Sequence, residues 1–244
     1  MVEGAGSNVT SKRTGESSCL DPPTCSWVLT SLNGGDVRLT ILAVDAETGE
    51  DVVFDTQHAR IGPEHICASA SFPVLFQPVE IDGRWLVDGG MSANLPLRLA
   101  LSEPPNRDTL CVALDLVSRK GEHPRSIGAA AERMQDLIFA NQSRQAILSL
   151  QREYQFRRMA TGQEPASGAA VRLLHLAYGG SEGATALKAL DFTTDSIRSR
   201  WAAGKTDMEA ALGQLGTRPH SAPGVLEALA LEEGVLRELK AEPH

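Results

Sequence analysis

Two short stretches of the 244-residue chain hold side chains spaced for base-assisted nucleophilic catalysis. In WLVDGGMSANLPL, residues 85–97, Asp88 closes an apolar run and is followed by Gly89 and Gly90. A carboxylate at a strand end, beside a turn free of side chains, can take a proton from a hydroxyl brought against it. Turn chemistry accounts for the same three residues: the aspartate bonds its own backbone and the glycines supply positive φ. In GGSEG, residues 179–183, Ser181 stands in the G-x-S-x-G pattern of a nucleophile elbow, after an apolar run ending at Tyr178. A Gly/Ser loop between a strand and a helix is the plainer reading there, because the following ATALKAL is short for the helix an elbow needs. A hydrolase built on Ser181 would draw on Asp191, Asp195 or Asp207 with His220, which lie very close in sequence for a sheet-mounted triad.

Composition narrows the class. The apolar fraction of 42% suits a globular protein with a real core. The net charge of −8, without a long block of either sign, argues against nucleic-acid binding. It also opposes long-range attraction to anionic membranes, leaving peripheral docking through a local face. Cys19 and Cys25 form C-x5-C, the wrong spacing for a zinc knuckle, and Cys67 and Cys111 read as small core residues. No metal or cofactor is expected. His58, His65 and His123 read as exposed and His175 as packed within an apolar strand; Trp201 with Arg200 could form a partner surface, but at its helical position Trp201 reads as a core anchor. Without a charged-then-apolar leader or an apolar run near 18 residues, the expectation is a soluble cytoplasmic protein.

The elements that must position Asp88 follow from local pattern. Residues 1–35 are rich in Gly, Ser, Thr, Pro and Asn and read as an irregular, disordered leader. From 36 to 120, VRLTILAVDA and DVVFDT flank a turn at Gly49 as a hairpin, and Pro63 opens a short helix that Pro73 stops. Asp82-Gly83 joins a second hairpin, and DTLCVALDLVS reads as a strand buried on both faces. From 121 to 218, an amphipathic helix runs from Ser126 to about Arg158, with a break near Asn141. VRLLHLAY is a buried strand; a helix capped by Thr194 or Asp195 then ends at Gly204, and a short one covers Thr206–Leu212. Residues 219–244 read as a tail helix, Pro223–Lys240.

Around Asp88, five separately spaced motifs agree in order with one family. ICASASFPVLFQPVEIDGRWLVDGGMSANLPLRLAL resembles the C-terminal portion of the patatin-like phospholipases. The family's Ala-Ser-x-x-x-Pro helix end falls at Ala68-Ser69 to Pro73, and its F-x-P-V strand at Phe76 to Val79. Its IDG hairpin falls at Ile81 to Gly83, its D-G-G motif at Asp88 to Gly90, and its N-x-P step at Asn94 and Pro96. AVDAETGEDVVFDT is similar to the family's A-T-x-x-x-T-G hairpin, and LDFTTDSIRSRWAAG resembles the C-terminal extension of many bacterial members. The resemblance implies a three-layer α/β fold, present here as the C-terminal half of the sheet with a mainly helical extension. It further implies a Ser-Asp dyad that hydrolyses lipid esters, with Asp88 as base and Gly89 and Gly90 as the motif's turn.

That family carries its serine in G-x-S-x-G, after a Gly-rich oxyanion loop and before the aspartate. No serine before Asp88 has glycine on both sides at that spacing: Ser17 has Gly15 but then Cys19, and Ser7 has Ala5. EGAGSN does not supply the Gly-rich run, and Ser181 lies after Asp88, where the extension places a variable loop. The expectation is therefore the C-terminal half of a lipid acyl hydrolase, inactive alone, behind a leader set by truncation, a mis-assigned start or divergence. Its partners would be a lipid ester or membrane surface, and a second copy or a missing N-terminal half. The competing expectation is a non-catalytic binding or assembly module that keeps the patatin shell.

Overall fold

The computed structural model describes residues 29–35, 37–161, 168–178 and 193–240. The chain divides into two compact units, Met1–Val87 and Asp88–His244.

In the first unit, strands β1 (Thr40–Asp45) and β2 (Asp51–Asp55) form the hairpin expected across Gly49, whose φ is +73°. Strands β3 (Val79–Ile81) and β4 (Arg84–Asp88) pair antiparallel across Asp82 and Gly83, both at positive φ as a tight two-residue hairpin loop requires. The sheet order is β2-β1-β4-β3. Helix α1 (Pro63–Ser69) starts on its proline, which has no N–H to leave unpaired, and buries Ala68 against Ala43, Ile81 and Leu86. Two buried aspartates end the strands of the first hairpin: Asp45 takes Arg84 Nε at 2.7 Å and Asp55 takes Arg38 Nε at 2.7 Å. The Arg84 hydrogen bond, with turn amides of Glu47 and Thr48, holds the Asp45 carboxyl at about 2.

In the second unit, strands β5 (Thr109–Asp115), β6 (Val171–Ala177) and β7 (Leu226–Glu232) are parallel, and β8 (Val235–Glu238) returns antiparallel to β7. Alternation along β6 sends Val171 and Leu173 to one face and Leu174 and Leu176 to the other. The first face packs on helix α2 (Leu97–Leu101) and on Ile147, Leu150 and Tyr154 of helix α3 (Ile127–Thr161). The second packs on Ala211, Met208 and Leu215 of helix α4 (Thr194–Leu215). Helices thus cover one face of a mostly parallel sheet and, over β6 and β7, the other, an α/β arrangement that fits a partial patatin-like fold.

Several expectations need correction. Residues 29–32 make a helical turn; Leu29 is buried with Ile41 and Ile61, and the Asn33 side chain bonds both Ile61 N and Ile61 O at 2.9 Å. The end of the leader is therefore packed; residues 1–28, with Cys19 and Cys25, lie outside the described residues. Helix α3 runs unbroken past Asn141, and α4 runs through Gly204 from a cap at Thr193. Mid-helix glycine costs only about 1 kcal/mol, which a packed helix absorbs. The tail helix is instead the β7–β8 hairpin, with Glu233 and Gly234 both at positive φ. Leu, Ala and Glu favour helix there, but Leu226, Ala228 and Ala230 alternate into one core and Leu229 into the other, and β6 offers a partner edge. Trp201 is 78% exposed rather than a core anchor. His65 is not exposed: its Nδ1 caps α1 by accepting from Gly62 N, and its ring meets Phe54 edge-on. Finally, β5 is buried on one face only, with Leu110, Val112 and Leu114 exposed on the other.

Candidate functional site

Strand β4 delivers Asp88 to a 3-10 turn, Gly89–Met91, whose cap it forms. Asp88 Oδ1 accepts from Gly90 N at 2.7 Å. Gly89 is buried, and its carbonyl accepts from Ser92 N at 3.1 Å and Ala93 N at 2.9 Å. Neither glycine has positive φ, contrary to expectation. Close approach is what Gly90 supplies: a Cβ there would sit 3.0 Å from Asp88 Oδ1, tighter than ordinary contact. Burial raises the Asp88 pKa, and the Gly90 hydrogen bond opposes that rise. A half-buried carboxyl shifted upward is a better proton acceptor than a solvated one.

Three residues past the turn, Asn94 joins a buried polar cluster formed with β5, β6 and α3. Asn94 Nδ2 donates to Asp115 Oδ1 and to Ser143 Oγ, both at 3.0 Å, while Asn94 N donates to Gln142 Oε1 at 2.9 Å. Asp115, 3% exposed, ends β5, and His175 Nε2 on β6 lies 3.4 Å from its Oδ2. Burial pushes the Asp115 carboxyl up, but hydrogen bonds from His175, Ser143 and the Val117 amide outweigh it and leave the pKa lowered. The cluster stands at the C-terminal ends of two parallel strands, where open α/β sheets usually place their sites. Sequence reasoning missed Asp115, Gln142 and Ser143, and read His175 only as packed. Two signals were present: an aspartate closing the apolar run LCVALD, and a serine inside the stripe Phe139, Ser143, Ile147, Leu150.

The remaining candidates do not join this site. Ser181, its flanking glycines and Asp191 lie outside the described residues. His220 is exposed and, among the described residues, bonds neither Asp195 nor Asp207. No hydroxyl among the described residues bonds Asp88. No group of three metal-type ligands, and no helix long and apolar enough to cross a membrane, occurs among them.

Comparison with known families gives two matches. Residues 14–101 match the family described as patatin-like phospholipase, and residues 132–221 match one described as patatin phospholipase. Both matched regions fall with the patatin-like phospholipases, and together they support that family for the chain. No curated protein matches it. The first patatin match contains Asp88, Gly90 and Asn94; the second contains Gln142, Ser143 and His175. The first match begins at residue 14, inside the segment read as a leader. At family level the chain is thus a lipid hydrolase, and its patatin-like region brings an aspartate-glycine turn to a buried polar cluster.

Proposed function

We propose that Asp88 is the proton acceptor in serine-dependent hydrolysis of lipid esters, and that this chain supplies that base without supplying the serine. The geometry of Asp88 carries the reading. One carboxylate oxygen is tied to Gly90 N, so the group's direction is set, and Oδ2 has no hydrogen bond among the described residues. A serine Oγ attacking an ester carbonyl would pass its proton to Oδ2 as the tetrahedral oxyanion forms. Collapse would expel the alcohol with that proton and leave an acyl-serine, which water, deprotonated by the same carboxylate, would hydrolyse. Backbone amides would have to hold the oxyanion. The substrate would be a phospholipid or other lipid ester met at a membrane surface from the cytoplasm.

The test is hydrolysis of phospholipid vesicles and a short-chain ester by the purified chain, with fluorophosphonate labelling in parallel. No turnover and no label are expected from the chain alone. Turnover should appear only with a second chain bearing G-x-S-x-G, and vanish with Asp88→Asn. A fluorophosphonate adduct on any serine of this chain would overturn the reading, and an adduct on Ser181 would point to a rearranged hydrolase.

A second reading, an assembly module, is favoured by β5. Leu110, Val112 and Leu114 project from a strand at the edge of its sheet among the described residues, exposed by 47%, 40% and 61%. Such a face invites another chain. Self-association broken by Leu114→Glu would support it; a cooperatively melting monomer would not.

A further inference from the structure

We propose that Asn94 is the positioning residue for Asp88: it latches the 3-10 turn to the buried cluster of Asp115, Ser143 and His175, and so fixes where the Asp88 carboxylate points. The proposal rests on the reading of Asp88 as the base. Three observations meet at Asn94. All its N–H groups are committed: the backbone one to Gln142 Oε1, and the side-chain amide to Asp115 Oδ1 and Ser143 Oγ. Its own Oδ1 lies 3.8 Å from where a Cβ on Gly90 would stand, so the same side chain closes the turn against the glycine whose N–H holds Asp88. The partners are themselves immobilised. Ser143 is fully buried on α3, and Asp115 is braced by His175 and by Val117 N.

Stability alone does not call for this cluster. Replacing both partners of a buried hydrogen bond by apolar groups of the same shape is close to neutral, so a core with no directional task could be apolar at 94, 115 and 143. Hydrogen bonds differ from apolar contacts in fixing direction, and every member here has a partner. Direction is what a proton acceptor needs, because transfer demands hydrogen-bond reach to a reacting atom.

The experiment is a pH titration of the 15N-labelled full chain, following the Gly90 amide, which reports on the carboxylate it donates to. In the wild type its midpoint should lie above 3.8, the ordinary Asp value. Asn94→Ala should move the midpoint back to 3.8 as the released carboxyl meets solvent, and at least halve the amplitude as the Gly90 bond loosens. Gln142→Ala, on the half-exposed edge of α3, should do the same to a smaller degree and decides the matter if Asn94→Ala does not fold. Tyr154→Phe, which removes a buried hydrogen bond to Leu101 O in the same unit, should lower stability and leave the Gly90 titration unchanged. A wild-type titration in both folded cluster variants would overturn the proposal. The base reading can fail separately, if the hydrolysis reconstituted with a second chain survives Asp88→Asn while the Gly90 titration still responds to Asn94.

Discussion

Ser143→Ala is the most informative change to the buried cluster. Ser143 has no solvent exposure, and its Oγ accepts from Asn94 Nδ2 at 3.0 Å while its hydroxyl donates to Asp115. Alanine fits the same space without a cavity, so packing is nearly preserved and polar pairing is lost. A hydrogen bond to a charged group is worth about 1.5–3 kcal/mol, and Asp115 keeps its bonds from Asn94, His175 and Val117. The expected loss at pH 7 is therefore about 2 kcal/mol, or a melting midpoint lower by roughly 4–8 °C. The folded-state pKa of Asp115 lies below its unfolded value of 3.8. Its carboxylate therefore stabilises the fold fully above 3.8, and that contribution is lost as pH falls through the folded value. Removing the Ser143 donor raises the folded pKa towards 3.8, so the deficit should be widest at neutral pH and narrow below 3.8. Urea unfolding by far-UV circular dichroism suits the measurement, since α3 and α4 of the same unit supply most of the helical signal. A deficit below about 0.5 kcal/mol at pH 7, the scatter of ordinary surface substitutions, would refute the reasoning. So would a deficit of constant size across the acid range.

Other outcomes follow from single positions. Ile147→Ala removes a fully buried side chain between α3 and the sheet and should cost about 2–5 kcal/mol in the same unfolding assay. Gly83→Ala meets no atom within 4 Å, so its cost of about 1–2 kcal/mol comes from the left-handed backbone at φ +77° and should appear as faster amide exchange across β3 and β4. Arg84→Met should raise the Asp45 titration midpoint from about 2 towards 3.8, read by carboxyl 13C shifts. Because that folded pKa is depressed, the stability tied to Asp45 is present above 3.8 and is lost through about 2 in the wild type, and at higher pH in the variant.

Local rules make much of the framework legible in the sequence. Asp82-Gly83 and Gly49 mark both hairpins of the first unit because few residues tolerate positive φ, and Pro63 marks the start of α1. The site is half legible. Asp88 stands out by type and place, whereas its anchor joins Asn94 to Asp115 and Ser143, 21 and 49 residues away. No window along the chain holds both ends of such a bond. Gly90 shows the same division: its identity is plain, but the reason for it is an aspartate oxygen 3.0 Å from a Cβ it lacks rather than its φ.

The sequence by itself determined the hairpin turns of the first unit, the start of α1 and the resemblance to the family, since each rests on contacts between near neighbours or on spaced motifs. Tertiary structure alone decided the rest. LEALALE has good helix propensity and became a strand because two cores claimed its alternate side chains and β6 supplied hydrogen bonds. Gly204 did not end α4 because burial of Met208, Ala211 and Leu215 beyond it outweighs about 1 kcal/mol of glycine penalty. The direction of the Asp88 carboxylate belongs to the same class. A turn of three residues can place that group, but only a cluster gathered from two strands and a helix can hold it still.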